Sequence, residues 1–191
     1  MLCESGVREN TVKIKMVAGI FVVLCGTLIA QAQSEWQQKV QQQLPLLGHR
    51  NWIVIADSAF PFQTSPGIET IETGADHLAV VDYVLQAIKD SKHVRPLVHL
   101  DRELQFVPDK ESPGADQYRK DLQKRIAGLP TDLLLHADLI QRLDEVGKTY
   151  HILMLKTNLT IPYTTVFLQL DCSYWSGESE AGMRKAMKLQ R

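Results

Sequence analysis

The chain has 191 residues, of which 45% are hydrophobic and 23% are charged, which is enough for one globular domain with a sizeable core. Its formal net charge is −1, and no run of basic residues interleaved with aromatic residues occurs along it. The composition therefore argues against a nucleic-acid-binding protein, which would carry a basic patch.

The first 32 residues have the pattern of a secretory signal rather than of domain sequence. Lys13 and Lys15 precede an apolar run over residues 16–30, and Ala30-Gln31-Ala32 supplies the small residues of a cleavage site. This run is shorter than the roughly 20 residues that a membrane-spanning helix needs. We therefore expect residues 1–32 to be removed and the protein to be exported, either to the periplasm or to the medium. An uncleaved membrane anchor over residues 16–30 is the alternative.

The next segment, residues 33–172, alternates helical and strand-like patterns. Apolar residues at helical spacing predict helices over residues 35–47, 76–90, 116–126 and 133–146. Short apolar runs between turn residues predict strands over residues 52–56, 95–100, 150–156 and 163–170, with residues 102–106 extending the second strand. Leu133–Leu135 also fits a short strand, and the sequence does not separate the two alternatives. Residues 63–74 are polar and typical of a loop.

This alternation of helices and strands favours an α/β fold of three layers, in which helices cover both faces of a mainly parallel sheet. The last two strands are joined by a short connection, and such a connection fits an antiparallel pair. Residues 173–191 are small, polar and basic, and we expect them to form a disordered or frayed helical tail. The sequence thus predicts a leader (1–32), one domain (33–172) and a tail (173–191).

The stretch from Gly48 to Pro61 carries the clearest functional pattern. His49 precedes the apolar run Trp52–Ala56, and Asp57 follows it. In open α/β sheets, ligands bind at the carboxyl ends of the strands, where we expect Asp57 to lie. Because a strand rises about 3.3 Å per residue, His49 and Asp57 flank its two ends. The two side chains can meet only if the strand end bends or if a second subunit supplies one of them.

The pair Gly48-His49, followed by Asp57 and then by Ala59-Phe60-Pro61, resembles the D-ribose pyranase / L-fucose mutarotase family of sugar-ring isomerases. The resemblance resumes at Lys156 and at Ile161–Val166, and it covers roughly residues 44–170. It implies an isomerase without cofactor or metal that opens and recloses the hemiacetal of a free ribose- or fucose-like monosaccharide by acid/base catalysis. It also implies a homo-oligomer whose sites are shared between subunits.

The resemblance further implies a role for individual side chains. His49 matches the catalytic histidine of the family, and histidine is the residue type best suited to proton transfer near neutral pH. Asp57 matches the sugar-binding aspartate, and a carboxylate can accept hydrogen bonds from two sugar hydroxyls. The remaining sugar contacts that the resemblance implies are His136, Lys156, Tyr163, Thr164 and Thr165.

Two positions depart from the pattern of the family. Thr165 stands where relatives have asparagine, and a threonine hydroxyl reaches less far than an amide group. Lys156 stands where relatives tend to carry arginine. The departure at Thr165 and the export signal favour an alternative function, a non-catalytic exported protein of the same fold that binds a monosaccharide or acts as a scaffold. Without the resemblance, His49 would be expected to end a helix and Asp57 to cap a turn.

Overall fold

The structure is a computed structural model that describes residues 33–189. These residues form five α-helices and a mixed sheet of six strands. The helices are α1 (Glu35–Gln43), α2 (His77–Ser91), α3 (Ala115–Arg125), α4 (His136–Val146) and α5 (Gly177–Leu189). The strands are β1 (Trp52–Ala56), β2 (Ile68–Glu72), β3 (Val94–Asp101), β4 (Thr131–Leu134), β5 (Ile152–Lys156) and β6 (Val166–Cys172).

The strands are arranged in the order β2-β5-β1-β6-β3-β4. Strand β6 is antiparallel to both of its neighbours, β1 and β3, whereas the pairs β1–β5, β2–β5 and β3–β4 are parallel. The prediction of a mainly parallel sheet is confirmed. β5 and β6 run in opposite directions, as expected, but β1 lies between them, so the two strands are neighbours in sequence and not in the sheet.

Helices cover both faces of the sheet, which confirms the predicted three layers. On one face, α1, α2 and α3 pack on a core that includes Ile53 and Leu155. On the other face, α4 inserts Leu139 and Leu143 against a smaller core that contains Phe167. Strand β1 is buried from end to end because it lies inside the sheet and is covered on both faces. That position explains why its sequence is an unbroken apolar run.

Three segments differ from the sequence-based expectation. The polar segment 63–74 contains the edge strand β2, which pairs only with β5. Its entry is fixed by Gly67, where an added Cβ would lie 2.4 Å from the carbonyl oxygen of Gly147, so only glycine allows this backbone approach. Arg102–Phe106 forms a 3₁₀ turn instead of extending β3. Of the two alternatives for residues 133–135, helix or strand, the structure has the strand: β4 ends at Leu134, and α4 begins only at His136.

Outside the sheet, the structure places helix α5 in the predicted tail. Its side chains are exposed from Ala181 to Lys188. None of the helices within residues 33–189 has the length and apolar character needed to cross a membrane. The predicted leader, residues 1–32, lies outside the described residues and stays a prediction.

The directions of the strands bring the ends of several strands to the same end of the sheet, which we call its carboxyl edge. β1 and β3 reach this edge at their carboxyl ends, which places Asp57 and Asp101 there. β4 ends at the same edge, and His136 follows it after one residue. Because β6 runs in the opposite direction, it contributes its amino end, which Thr165 precedes. Side chains that are far apart in the sequence therefore meet at this edge.

Candidate functional site

A cavity of about 310 Å³ opens at the edge where these strands end. Its walls are the loops that follow β1 and β5, together with the start of α4. The backbone N–H of Ser58 donates to the carbonyl of Leu159 at 2.9 Å and holds the two loops together. The lining residues are Asp57, Ser58, Ala59, Phe60, Pro61, His136, Thr160, Ile161, Pro162 and Tyr163.

The carboxylate of Asp57 lies at one wall of the cavity. Its Oδ1 accepts a hydrogen bond from the backbone N–H of Ala59 at 2.9 Å, and Thr165 Oγ1 donates to its Oδ2 at 3.4 Å. Phe60, three residues after Asp57 in the same loop, is buried and packs edge-to-face against Phe167 with ring centroids 6.5 Å apart, which anchors the loop. Because an ionised carboxylate has about four acceptor positions, Asp57 keeps capacity for ligand hydroxyls.

His136, the first residue of α4, lines the same cavity as Asp57. The backbone N–H of His136 donates to both carboxylate oxygens of Glu103 at 3.1 Å. This contact satisfies a free N–H at the helix start and places a negative charge where the helix dipole favours one. The ring Nδ1 lies 3.1 Å from Oδ1 of Asp101, the last residue of β3. Two acidic side chains therefore hold His136 in position.

Asp101 is a carboxyl group with no exposed surface. Burial raises the pKa of Asp101 to about 6, while the neighbouring imidazole of His136 acts in the opposite direction. The carboxyl groups of Glu103 and Asp57 add a smaller raising effect to this pKa. The second oxygen of Asp101, Oδ2, has no hydrogen-bond partner among the described residues. The site thus contains a buried acid that is paired on one side only.

Tyr163 lines the same cavity as Asp57. Its φ of 60° lies in the left-handed region, which residues other than glycine rarely adopt and which costs about 1–2 kcal/mol. The ring contacts that of His136 edge-to-face, with centroids 5.6 Å apart and an interplanar angle of 81°. The side chain is 39% exposed, so the phenol is available to a ligand. A strained backbone at this position is typical of a functional site.

The loop that carries Tyr163 is fixed from behind by buried polar groups. Thr164 Oγ1 donates to the carbonyl of Ile161 at 2.7 Å, and the hydroxyl of Tyr118 donates to the carbonyl of Thr164 at 3.0 Å. The same hydroxyl lies 3.2 Å from Nδ1 of His77, whose Nε2 lies 3.2 Å from the carbonyl of Ile55. Burial lowers the pKa of His77 to about 4, so this imidazole is neutral near pH 7.

The predicted site residues fall into two groups, those that line the cavity and those that do not. Asp57, His136 and Tyr163 line one cavity. Thr164 and Thr165 are buried and are not among its lining residues, and the hydroxyl of Thr165 donates to Asp57, which is one of them. The last residue of β5 is Lys156, whose carbonyl accepts from Thr73 at 2.7 Å, and its side chain is not among the lining residues.

His49 lies at the opposite edge of the sheet. The length of β1 alone places it about 16 Å from Asp57. Its Nε2 is 3.8 Å from Oδ1 of Asp171, and its side chain is 57% exposed. The guanidinium of Arg95 also donates to the carboxylate of Asp171 at 2.6 Å. Burial alone would raise the pKa of the Asp171 carboxyl, but this hydrogen bond and the nearby charges lower it. A single chain therefore does not bring His49 and Asp57 together.

Sequence reasoning missed Asp101 and Glu103. Asp101 directly follows the predicted strand 95–100 and Glu103 lies in its predicted extension 102–106, and the sequence patterns assign a role to neither. The signal that could have identified Asp101 is the one that identified Asp57, a carboxylate directly after an apolar strand at the carboxyl edge of the sheet. The signal for Glu103 is weaker, because its contact with the start of α4 depends on how β3 and β4 pair.

Searches for related proteins found neither a matching family model nor a matching curated protein. Similar solved structures include RbsD from Bacillus subtilis complexed with D-ribose, at 18% identity and a TM-score of 0.49, covering 73% of this chain and 94% of that one. They also include the fucose mutarotase from Streptococcus pneumoniae in complex with L-fucose, at 17% identity and a TM-score of 0.46, covering 72% of this chain and 92% of that one.

A third similar structure is FucU from Bifidobacterium longum, at 14% identity and a TM-score of 0.48, covering 70% of this chain and 94% of that one. The solved structures that this chain resembles are a ribose pyranase and fucose mutarotases, and these are members of the family that its sequence resembles.

Proposed function

We propose that this protein is a mutarotase or pyranase that binds a free ribose- or fucose-like monosaccharide and interconverts its ring forms. The observation that carries the proposal is the convergence of Asp57, His136 and Tyr163 on one cavity. Its volume of about 310 Å³ is at the lower end of the roughly 300–1,000 Å³ found for small-molecule sites, and it suits a compact ligand. The family resemblance of the same residues supports a sugar as that ligand.

The reaction needs two proton transfers and no change of oxidation state. One group removes the proton from the anomeric hydroxyl, the bond between the anomeric carbon and the ring oxygen breaks, and another group protonates that oxygen. Ring closure on the other face or through another hydroxyl reverses these steps. Asp57 orients the sugar by accepting hydrogen bonds from its hydroxyls, and Tyr163 offers a ring face for stacking and a phenol for a further hydrogen bond.

In this proposal His49 is an acid/base group that a second copy of the chain supplies. His49 and Asp57 lie at opposite ends of a buried strand, so one chain cannot use both at one site. The exposure of His49 leaves it free to enter the cavity of another protomer. We therefore propose a homo-oligomer in which each site combines the carboxyl edge of one protomer with the amino edge of the next. Lys156, Thr164 and Thr165 complete the proposed sugar site or support it.

The test is magnetisation-transfer NMR on D-ribose and L-fucose with the full-length protein. The expected result is exchange between anomers or ring forms above the buffer rate, lost in Asp57→Asn. Asp144→Asn, a change of an exposed carboxylate on α4, is the matched control and leaves the exchange rate within twofold (about the usual effect of a surface change). Absence of any exchange above the buffer rate with both sugars would contradict the proposed activity.

The alternative is a monosaccharide-binding protein without catalysis. It is favoured by Thr165, which is buried, directs its hydroxyl to Asp57 and replaces the family's asparagine. The same NMR sample separates the two functions. Saturation transfer from protein to sugar without exchange between sugar forms supports the binding protein, whereas exchange supports the isomerase.

We also propose that the protein acts after export, because residues 1–32 have the pattern of a secretory signal. The mature chain would then begin at Gln33. Sequencing the amino terminus of protein recovered outside the cytoplasm tests this, and an intact Met1 in that fraction would contradict cleavage.

A further inference from the structure

Asp101 and His136 form a pair that the family resemblance does not assign. Asp101 closes β3 with no exposed surface, and one of its oxygens lies 3.1 Å from Nδ1 of His136. Its other oxygen has no partner among the described residues. A buried carboxylate is costly unless it is paired, so this placement needs a compensating contact, and His136 is the one the site provides.

The contacts of His136 fix which of its ring nitrogens faces the cavity. Asp101 binds Nδ1 from inside the protein, and Glu103 holds the backbone N–H. The edge-to-face contact with Tyr163 limits rotation of the ring from a third side. Since the two nitrogens lie on different edges of the imidazole, Nε2 is the nitrogen left for the cavity that His136 lines. The side chain is 36% exposed, so a ligand can reach it.

We propose that His136 is a catalytic residue that exchanges a proton through Nε2 with the sugar, and that Asp101 is the positioning residue that holds Nδ1–H. This inference rests on the proposed isomerase function and deepens it. Ring opening then uses two imidazoles. One takes the proton of the anomeric hydroxyl, while the other, as an imidazolium, gives a proton to the ring oxygen as its bond to the anomeric carbon breaks. The net reaction consumes and releases nothing.

The buried carboxyl group of Asp101 matters because it stabilises the imidazolium that forms when His136 accepts a proton. Nδ1 of His136 and Oδ1 of Asp101 lie 3.1 Å apart, close enough for the carboxylate to accept the Nδ1–H and to face the positive charge directly. The titratable groups facing the pair from neighbouring elements are Glu103 after β3, Asp57 after β1 and Tyr163 before β6. Burial raises the pKa of Asp101 to about 6, close to the range in which a proton-transfer pair works.

The experiment measures sugar exchange by magnetisation-transfer NMR at saturating sugar for wild type, His136→Gln and Asp101→Asn. In Asp101→Asn the amide oxygen can still accept the Nδ1–H but the charge is gone, so the fold and the ring orientation are retained. We expect each variant to lose about 10²-fold or more in exchange rate, with sugar binding changed far less. The limb of the pH–rate profile set by the pair is expected to shift in Asp101→Asn.

The matched control is Asp132→Asn, a carboxylate on β4 that lies 3.5 Å from a different histidine, His99. It is expected to keep the exchange rate of the wild type. A wild type that exchanges sugar, with Asp101→Asn showing the same rate and pH profile, would overturn the pairing while leaving the isomerase intact. A wild type with no exchange overturns both proposals.

A second measurement does not depend on a variant. In ¹⁵N spectra of the wild-type protein, we expect the neutral ring of His136 to carry its proton on Nδ1, as the contact with Asp101 requires. Most exposed histidines favour the other nitrogen, so the result is informative without reference to activity. A neutral His136 protonated on Nε2 would overturn the assignment.

Discussion

The two edges of the sheet present histidines in opposite surroundings. At the carboxyl edge, His136 lies against the buried carboxylate of Asp101 and lines a cavity with Asp57. At the amino edge, His49 is exposed, and its nearest carboxylate, Asp171, is already bound by Arg95. The first edge can orient a ligand within one chain. At the second edge, His49 borders a separate cavity of about 330 Å³ that does not include Asp57, and we propose that it serves the site of another protomer.

A short sequence motif therefore does not determine where in the fold its residues act. Gly48-His49 and Asp57 belong to one stretch of sequence, yet a buried strand separates them. His136 and Asp101 are 35 residues apart, yet they are in contact, because β3 and β4 are paired and end at the same edge. The difference between the two edges can be tested by four sets of variants.

The largest effect is expected from mixing variants of the two edges. His49→Ala and Asp57→Asn should each lower sugar exchange by about 10²-fold or more, since each removes one proposed part of a shared site. Co-refolding the two variants in equal amounts should restore about a quarter of the wild-type rate, because a quarter of the shared sites then hold both intact residues. NMR exchange rates measure the recovery.

The control for this experiment is a mixture of Asp57→Asn with Asp57→Asn/His49→Ala, which can form no intact site. A mixture of the single variants that is no more active than this control would contradict sharing between protomers. Light scattering on each sample tests that assembly is retained. Loss of assembly in either single variant would instead assign that residue to the contact between protomers.

The next largest effect concerns stability and pH at the carboxyl edge. Burial lowers the pKa of His77 to about 4, so between pH 4 and 6.5 the unfolded chain binds the extra proton, and stability falls as the pH falls through this window. Burial raises the pKa of Asp101 to about 6, so the folded chain binds the extra proton there, and stability falls as the pH rises from about 4 to 6. The two contributions oppose each other.

Urea unfolding as a function of pH separates them. Asp101→Asn should become less stable toward acid than wild type, because the His77 contribution then acts alone, and the difference between pH 6.5 and 4 should be on the order of 1–3 kcal/mol. His77→Gln should show the reverse slope. Identical slopes in the two variants would contradict the burial of one group or the other.

A smaller effect is expected at Tyr163, where the backbone is left-handed. Tyr163→Gly should raise the free energy of unfolding by about 1 kcal/mol, because glycine adopts this conformation without strain. The same change should weaken sugar binding, since the ring that faces the ligand is gone. Tyr163→Phe is the control, because it keeps both the aromatic ring and the strained backbone. Thermal unfolding with and without sugar measures both effects, and a Tyr163→Gly protein less stable than Tyr163→Phe would contradict the strain argument.

The smallest effect is expected at Thr165. Its hydroxyl donates to Asp57 at 3.4 Å, a long contact, so Thr165→Val should weaken sugar binding by a few-fold, on the order of 0.5–1.5 kcal/mol. Thr165→Asn, which restores the family residue, tests whether an amide reaches the ligand directly. Titration calorimetry or saturation-transfer NMR with D-ribose and L-fucose measures the change. A Thr165→Val protein with no measurable binding would show that Thr165 acts at the ligand itself.

Local patterns predicted the elements that are regular and buried. The apolar run Trp52–Ala56 and the periodicity of α2 are strong local signals, and the mainly parallel α/β fold follows from their alternation. The edge strand β2 was not predicted, because its two isoleucines, Ile68 and Ile71, are three residues apart and lack the alternation of a strand, and because its hydrogen bonds depend on pairing with β5. Strand pairing of this kind joins residues that are far apart in the chain, such as Ile68 and Ile152, so it cannot be predicted from the residues next to either strand.

The same limit applies to the site. Asp57 could be placed at the carboxyl edge from its strand, and the resemblance pointed to His136 and Tyr163. The partner of His136 could not be found, because Asp101 approaches it only through the pairing of β3 with β4. The left-handed backbone of Tyr163 also has no signal in the residue itself, since tyrosine is not a residue that favours it.

The placement of β6 has a consequence for how the chain folds. β6 is the last strand in the sequence of the described residues, and it lies between β1 and β3. Until Val166–Cys172 has been synthesised and inserted, β2-β5-β1 and β3-β4 are separate half-sheets with unpaired edges. We expect a chain that ends before Val166 to aggregate through those unpaired strands and not to fold into a partly active protein. The domain can therefore fold completely only after the last strand of the sheet has been synthesised.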